Sequence, residues 1–231
     1  MERFLAQAAM GESVATATTT RSTSASTDAL ATSSASAAPP WKALSEIIPG
    51  RLYISAFARA PYREKTGKAV GRAADSLREA GIGAIINMCG DSGRSMKPPP
   101  DFKYMHARGL RDSPSPKHVA KLREHIPGAI EFARSAWHPG KALSGGRLGV
   151  HGSEPRLGVL VHCREGKSRS ASVVVALLCA LDPSLTVAAA IVRLKSARPI
   201  SCPNDGFVAA LVAWRSEGGA LRGDGGALLA L

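Results

Sequence analysis

Residues 157–170 constrain this chain more than any others: Leu-Gly-Val-Leu-Val-His-Cys-Arg-Glu-Gly-Lys-Ser-Arg-Ser. The apolar run Val159-Leu160-Val161 reads as a buried strand that ends in His162-Cys163. A tight loop around Gly166 follows, and Arg169-Ser170 opens an apolar stretch, Ala171 to Leu181, of helical length. In such a strand–loop–helix unit the backbone amides of Arg164, Glu165, Gly166, Lys167, Ser168 and Arg169 can curl around one centre. That centre also faces the positive end of the helix, so it suits a tetrahedral dianion. Cys163 begins the loop inside the same field, which favours its thiolate and makes it nucleophilic. Arg169 ends the loop with a planar fork able to grip two equatorial oxygens, which lysine cannot copy. A ready thiolate on the floor of a phosphate cradle points to phosphoryl transfer through a cysteinyl-phosphate.

Cys-x5-Arg alone is a weak signal. Its weight comes from His before the Cys, Gly at the third place after it and Ser after the Arg, between a strand and a helix. Gly166-Lys167-Ser168 imitates the end of a nucleotide-binding Gly-x4-Gly-Lys-Ser motif. That motif needs Gly at position 161, and the chain has Val161, so the nucleotide reading fails.

His-Cys-Arg-Glu-Gly-Lys-Ser-Arg-Ser resembles the signature of the cysteine-dependent protein tyrosine phosphatase superfamily, most closely its small atypical dual-specificity branch. Three further stretches are similar to that branch: Ile48 to Ile54, Gly81 to Asn87, and Pro203-Asn204-Asp205-Gly206-Phe207. The resemblance covers about residues 45–215. It implies a dual-specificity phosphatase-like α/β fold and hydrolysis of phosphotyrosine and phosphoserine/threonine in proteins, with no cofactor and no metal.

The resemblance also implies a carboxylic acid on a separate loop to protonate the leaving oxygen. Asp112, in Leu110-Arg111-Asp112-Ser113-Pro114, is the best candidate, because it follows one strand and precedes a helix. An Asp before Ser-Pro can also simply initiate a turn. Asp91 and Asp101 are rivals, but Asp101 precedes that strand. Asp112 lies 51 residues before Cys163 (163 − 112), more than the family usually shows. The surplus falls in His138 to Arg156, Gly-rich with Pro139 and Pro155, and reads as an inserted loop that leaves both catalytic elements in place.

Ser170 is placed to hydrogen-bond the leaving sulfur, or to cap the helix. His162 is expected to hold the loop and tune the thiol, not to act as a general base. Asn204 resembles the residue that ties down the phosphate loop and is also a natural cap for the last helix. Lys167 adds charge at the rim, and Arg198 aligns with a position that meets a second phosphate; a solvated basic face accounts for both equally well. Ala210 stands where the family often has Gln. Cys89, in Asn87-Met88-Cys89-Gly90-Asp91, resembles the tensin-homologue phosphatases, which places it as a redox partner for Cys163; otherwise it is an ordinary buried cysteine.

The surrounding pattern alternates strand and helix. Arg51–Ser55, Ile82–Met88 and Phe102–Ala107 read as strands. Ala69–Ala80, Thr186–Ala197 and about Asp205–Trp214 read as helices, as does a stretch from Lys117 that breaks at Pro127-Gly128. The expected fold is therefore α/β, a mostly parallel central sheet with helices on both faces and the catalytic loop at the carboxyl end of a central strand. A hydrophobic fraction of 45% suffices for one packed core across residues 41–216, and no apolar stretch is long enough to span a bilayer.

Residues 1–40 are a disordered tail or a targeting segment: residues 11–40 hold 22 Ser, Thr or Ala with no hydrophobic period. Residues 217–231 are a Gly-rich tail. The tail residues Arg3 and Arg21 against Glu2, Glu12 and Asp28 sum to −1, so with a net charge of +12 the remaining residues carry +13. That balance favours phosphorylated or otherwise acidic partners. Aromatic content of 5%, without basic interleaving, makes nucleic acid an unexpected partner. Four cysteines without zinc spacing and a thiolate nucleophile fit a reducing compartment: cytoplasm, nucleus or an organelle stroma. The alternatives left open are the same chemistry on a phosphoinositide, RNA 5′ end or phosphoglucan, and a phosphate-binding module without turnover.

Overall fold

The computed structural model describes residues 44–56, 70–93, 98–138 and 157–219. The tail at 1–40, most of the Gly-rich end and the body of the expected insertion (139–156) lie outside those residues. The elements in chain order are β1 (Ser45–Ile48), β2 (Leu52–Ala56), α1 (Val70–Glu79), β3 (Ile82–Asn87), β4 (Lys103–His106), α2 (Pro116–Trp137), β5 (Gly158–Cys163), α3 (Arg169–Leu181), α4 (Val187–Ala197) and α5 (Asp205–Ser216).

The sheet runs β1-β2-β5-β3-β4. β1 is antiparallel to β2, and the other three pairs are parallel. Parallel strands need both faces covered, and alternation along each strand supplies the two apolar surfaces. Leu52, Ile54, Ala84, Ile86, Val159 and Val161 face the larger core with α2 to α5. Tyr53, Ile85 and Leu160 point the other way, against Ala74 and Leu77 of α1 and Phe102. β5 is the middle strand and is buried along its whole length. The loop that leaves it therefore starts from the most rigid part of the sheet.

α3 is buried on every side from Arg169 to Ala180 in the manner of a central helix, apolar beyond Arg169, Ser170 and Ser172. Its N-terminus sits at the carboxyl end of β5, where its unpaired amides and positive dipole end face the catalytic loop.

α2 differs from the sequence expectation. The break at Pro127-Gly128 does not occur, and the helix runs unbroken for 22 residues. A proline in a helix interior costs about 3 kcal/mol through its lost N–H and ring clash. Burying Leu122, Ile126, Ile130 and Trp137 on the same helix contributes roughly 1.5–3 kcal/mol for each large side chain, so continuity wins. The short edge strand β1 was not read from sequence either. It has four residues, one of them the exposed Glu46, too few to show a period.

The expected insertion is closed at its base. Leu157 N donates to Ala136 O at 3.0 Å, so the chain leaves α2 and re-enters at β5 within hydrogen-bond reach. The extra residues can therefore be accommodated without moving α2 or β5 apart.

Candidate active site

Cys163 is the last residue of β5 and is 2% exposed. The loop from Arg164 to Ser168 folds back over its sulfur. Gly166 N donates to Sγ at 3.2 Å, and Ser170 Oγ donates to it at 3.2 Å from the first turn of α3. Burial pushes the thiol's pKa up. The Ser170 hydroxyl and amide, the Arg169 charge and the Lys167 amide outweigh that effect and hold it below the ordinary thiol value. Ser170 is thus committed to the sulfur. The helix cap position belongs to Ser168, whose hydroxyl makes no cap hydrogen bond and donates to Asp112 instead.

The hairpin bend at Gly166 is possible because its φ is +70°, a left-handed conformation natural to glycine. A Cβ there would stand 2.6 Å from the Ser55 carbonyl oxygen of β2 and 2.6 Å from Arg198 Nη2. Arg164, Glu165 and Lys167 carry exposed side chains at the rim, whereas Gly166, Ser168 and Arg169 are buried.

Arg169 is anchored by Nη1, which donates to Met88 O at 3.1 Å. Its Nε is buried and has no protein acceptor among the described residues, which suits a donor reserved for an oxyanion. Met88 N in turn donates to His162 O at 2.8 Å, so the end of β3 braces both the nucleophile strand and the arginine. His162 is fully buried. Burial, with added repulsion from His106 and Arg169 and partial opposition from the Cys163 backbone, pushes its pKa down to about 3. It is therefore a neutral ring beside the thiolate at physiological pH.

Asp112 lies at the loop. Its Oδ1 accepts from Ser168 Oγ at 2.7 Å and from Asn204 Nδ2 at 2.9 Å. Asn204 simultaneously caps α5, accepting from Phe207 N at 3.0 Å, while its own N–H donates to Ser168 Oγ at 3.2 Å. Cys202 N donates to Lys167 O at 2.7 Å just before it. The segment before α5 therefore ties the phosphate loop to the Asp112 loop. The rival carboxylates are engaged elsewhere: Asp101 pairs with Arg78, and Asp91 accepts from Gly109 N. The bridging role of Ser168 was missed from sequence, because it joins partners 56 residues apart with no local signal.

Arg198 requires a correction. It is 2% exposed, with Nε on Gly166 O at 2.9 Å, Nη2 on Glu165 O at 3.2 Å and Nη1 on Ser45 Oγ at 3.2 Å. A buried fork spent on loop carbonyls does not fit a contact with a second phosphate. Neither is it part of a solvated basic face.

β3 and β5 are neighbours, with Asn87 opposite His162. Cys89 follows β3, buried, with Sγ 3.9 Å from His162 Nδ1. Burial and the negative Cys163 sulfur push its thiol up to about 12, against partial relief from Arg169 and Arg164. Ala210 packs in the core.

A thiolate ringed by amides, a buried arginine with a spare donor and a carboxylate at the rim form a phosphate-ester site. The family model for the dual specificity phosphatase catalytic domain matches residues 66–217. The chain belongs to that family. It is 30% identical over 148 residues to the dual specificity protein phosphatase PHS1 of Arabidopsis thaliana, covering 63% of this chain. It is 50% identical over 50 residues, 22% of its length, to dual specificity protein phosphatase 1 of the same plant. The chain spans 14% and 25% of the length of these curated relatives. The crystal structure of human DUSP28 superposes with a TM-score of 0.50 at 25% identity, covering 80% of this chain and all of that one. In this dual-specificity phosphatase domain no described helix is long and apolar enough to cross a membrane.

Proposed function

We infer that the domain hydrolyses phosphotyrosine and phosphoserine/threonine in proteins in two steps. In the first, Cys163 Sγ attacks phosphorus, the ester P–O bond breaks and Asp112 gives its proton to the leaving oxygen. In the second, Asp112 takes a proton from water as that water attacks phosphorus. The S–P bond then breaks, inorganic phosphate departs and the sulfur leaves as a thiolate. Gly166 N and Ser170 Oγ stabilise the thiolate before attack and again as it leaves phosphorus, and Arg169 holds the phosphoryl oxygens throughout.

The observation that carries this reading is the convergence on one sulfur of Gly166 N and Ser170 Oγ, with Asp112 linked to the same loop through Ser168. The exposed Arg164 and Lys167 at the rim favour acidic phosphorylated segments as substrates. The test is a panel of phosphopeptides, a phosphoinositide, an RNA 5′ phosphate and a phosphoglucan, run with wild type and Cys163→Ser. Phosphopeptide turnover that Cys163→Ser loses supports the reading. Turnover confined to a non-protein phosphate reassigns the substrate, and none at all revives a binding module.

Cys89 supplies a thiol beside the nucleophile strand, suited to capture an oxidised Cys163 as a disulfide, with loss of water from the sulfenic acid. Peroxide inactivation should then be reversed by dithiothreitol in wild type and not in Cys89→Ser; equal rescue would remove that role. A thiolate nucleophile also suits a reducing compartment.

A further inference from the structure

Arg198 keeps a full charge in a place with almost no solvent, and the two carbonyls it grips are informative. The Glu165 carbonyl and the Gly166 N–H belong to one peptide unit, and that N–H donates to Cys163 Sγ. The Gly166 carbonyl and the Lys167 N–H belong to the next unit, whose amide also lowers the thiol's pKa. A peptide unit is planar, so fixing its oxygen fixes the direction of its N–H. A cation on the oxygen also polarises the unit and strengthens the N–H as a donor, the cooperative effect of linked hydrogen bonds in a low dielectric. The third contact, Nη1 to Ser45 Oγ, ties the fork to the edge strand β1 and fixes its plane.

We propose that Arg198 is a positioning residue that acts through these two peptide planes, aiming and strengthening the amides that face the Cys163 sulfur. Its hydrogen bonds to Glu165 O, Gly166 O and Ser45 Oγ go to the loop and to β1, while its charge is also felt by the Cys163 sulfur through space, an effect that Arg198→Lys retains. Its effect is on how much thiolate the loop holds and where the cradle amides point. This rests on the phosphatase reading only for Cys163 as the nucleophile.

Several other groups face the same sulfur. Arg169 comes from α3, Cys89 from the end of β3, and neutral His162 adjoins on β5. Arg164 acts on Cys89, and Asp112 reaches the loop through Ser168. Arg169 and Ser170 would remain in an Arg198 variant, so the thiolate should be weakened and not abolished. Lysine at 198 would keep the charge but lacks a fork to span two carbonyls.

The experiment measures alkylation of Cys163 by iodoacetamide against pH, which needs no turnover. The proteins are wild type, Arg198→Gln, Arg198→Lys and Ser45→Ala, each checked for folding by circular dichroism and thermal melting. In Arg198→Gln the inflection should move to higher pH. Its rate constant on the acid side should fall roughly three- to tenfold, the share expected when hydrogen bonds to a charged group weaken. The rate at full ionisation should stay near wild type. Arg198→Lys should lie between the two, and Ser45→Ala, which frees the fork's plane but leaves both carbonyl contacts, should shift the profile in the same direction by less than Arg198→Lys. A folded Arg198→Gln or a folded Arg198→Lys with the wild-type profile overturns the proposal, so the lysine variant decides if the glutamine variant does not fold. Absence of hydrolysis across the phosphate panel would sink the phosphatase reading and leave this profile unaffected.

Discussion

Replacing Gly166 by alanine should damage both stability and chemistry, and the structure says how much. The residue's φ of +70° puts an L side chain in the left-handed region, at a cost of about 1–2 kcal/mol. The new Cβ would also stand 2.6 Å from Ser55 O and 2.7 Å from Ser55 C. Ser55 belongs to β2 and pairs with His162 of β5, so that backbone cannot retreat without breaking the sheet. Such overpacking costs a further 1–3 kcal/mol or so, for a total of about 2–5 kcal/mol. The overlap must be relieved from the loop side, which carries Gly166 N away from Cys163 Sγ. A misplacement on the order of 1 Å costs about a hundredfold in rate.

Gly81→Ala is the control. Its φ is +72°, but nothing lies within 4 Å of the added carbon, so it should lose only the conformational part, about 1–2 kcal/mol, with kcat/KM unchanged. Urea unfolding gives the stabilities, and a phosphotyrosine peptide gives kcat/KM. If Gly166→Ala matches Gly81→Ala in both readouts, the close approach of the loop to β2 is wrong.

Three other outcomes follow from the same geometry. Ser170→Ala removes the strongest influence lowering the Cys163 pKa; the reaction needs thiolate and is lost as pH falls through that pKa, so the acid limb of kcat/KM should move up in pH and the high-pH rate should recover. Burial pushes His162 down to about 3 from an ordinary imidazole value of about 6.5, so the stability of the neutral-pH fold is lost as pH drops below about 6.5, at up to about 1.4 kcal/mol per pH unit in urea titrations. A folded His162→Asn should flatten that slope. Asp112→Asn should slow alkyl phosphate substrates by roughly 10²–10⁴-fold and aryl phosphates with good leaving groups far less; equal losses for both would move the acid role to another residue.

The phosphate loop was legible in the chain because its chemistry is local. Cys163, Gly166, Arg169 and Ser170 lie within eight consecutive positions, and the flanking strand and helix announce themselves by apolar runs. The alternating pattern likewise implied the parallel sheet and the central place of β5. What escaped was whatever depends on contacts distant in sequence. Ser168 and Asn204 meet Asp112 across 56 and 92 residues. Arg198 could be given a basic residue's ordinary roles because its burial is set by β1 and the loop together, neither adjacent to it in the chain. Pro127 reads as a break because local propensity disfavours proline inside a helix, while burial along α2 overrides it.

The central claim is that Cys163 carries the phosphoryl group. A phosphotyrosine peptide labelled on phosphorus should be mixed with enzyme, quenched in acid during turnover and followed by mass spectrometry of the digested protein. One phosphoryl group on the peptide containing Cys163, present in wild type and absent from Cys163→Ser, is the result this account predicts. Steady turnover with the label on another residue, or with Cys163→Ser still active, would contradict it.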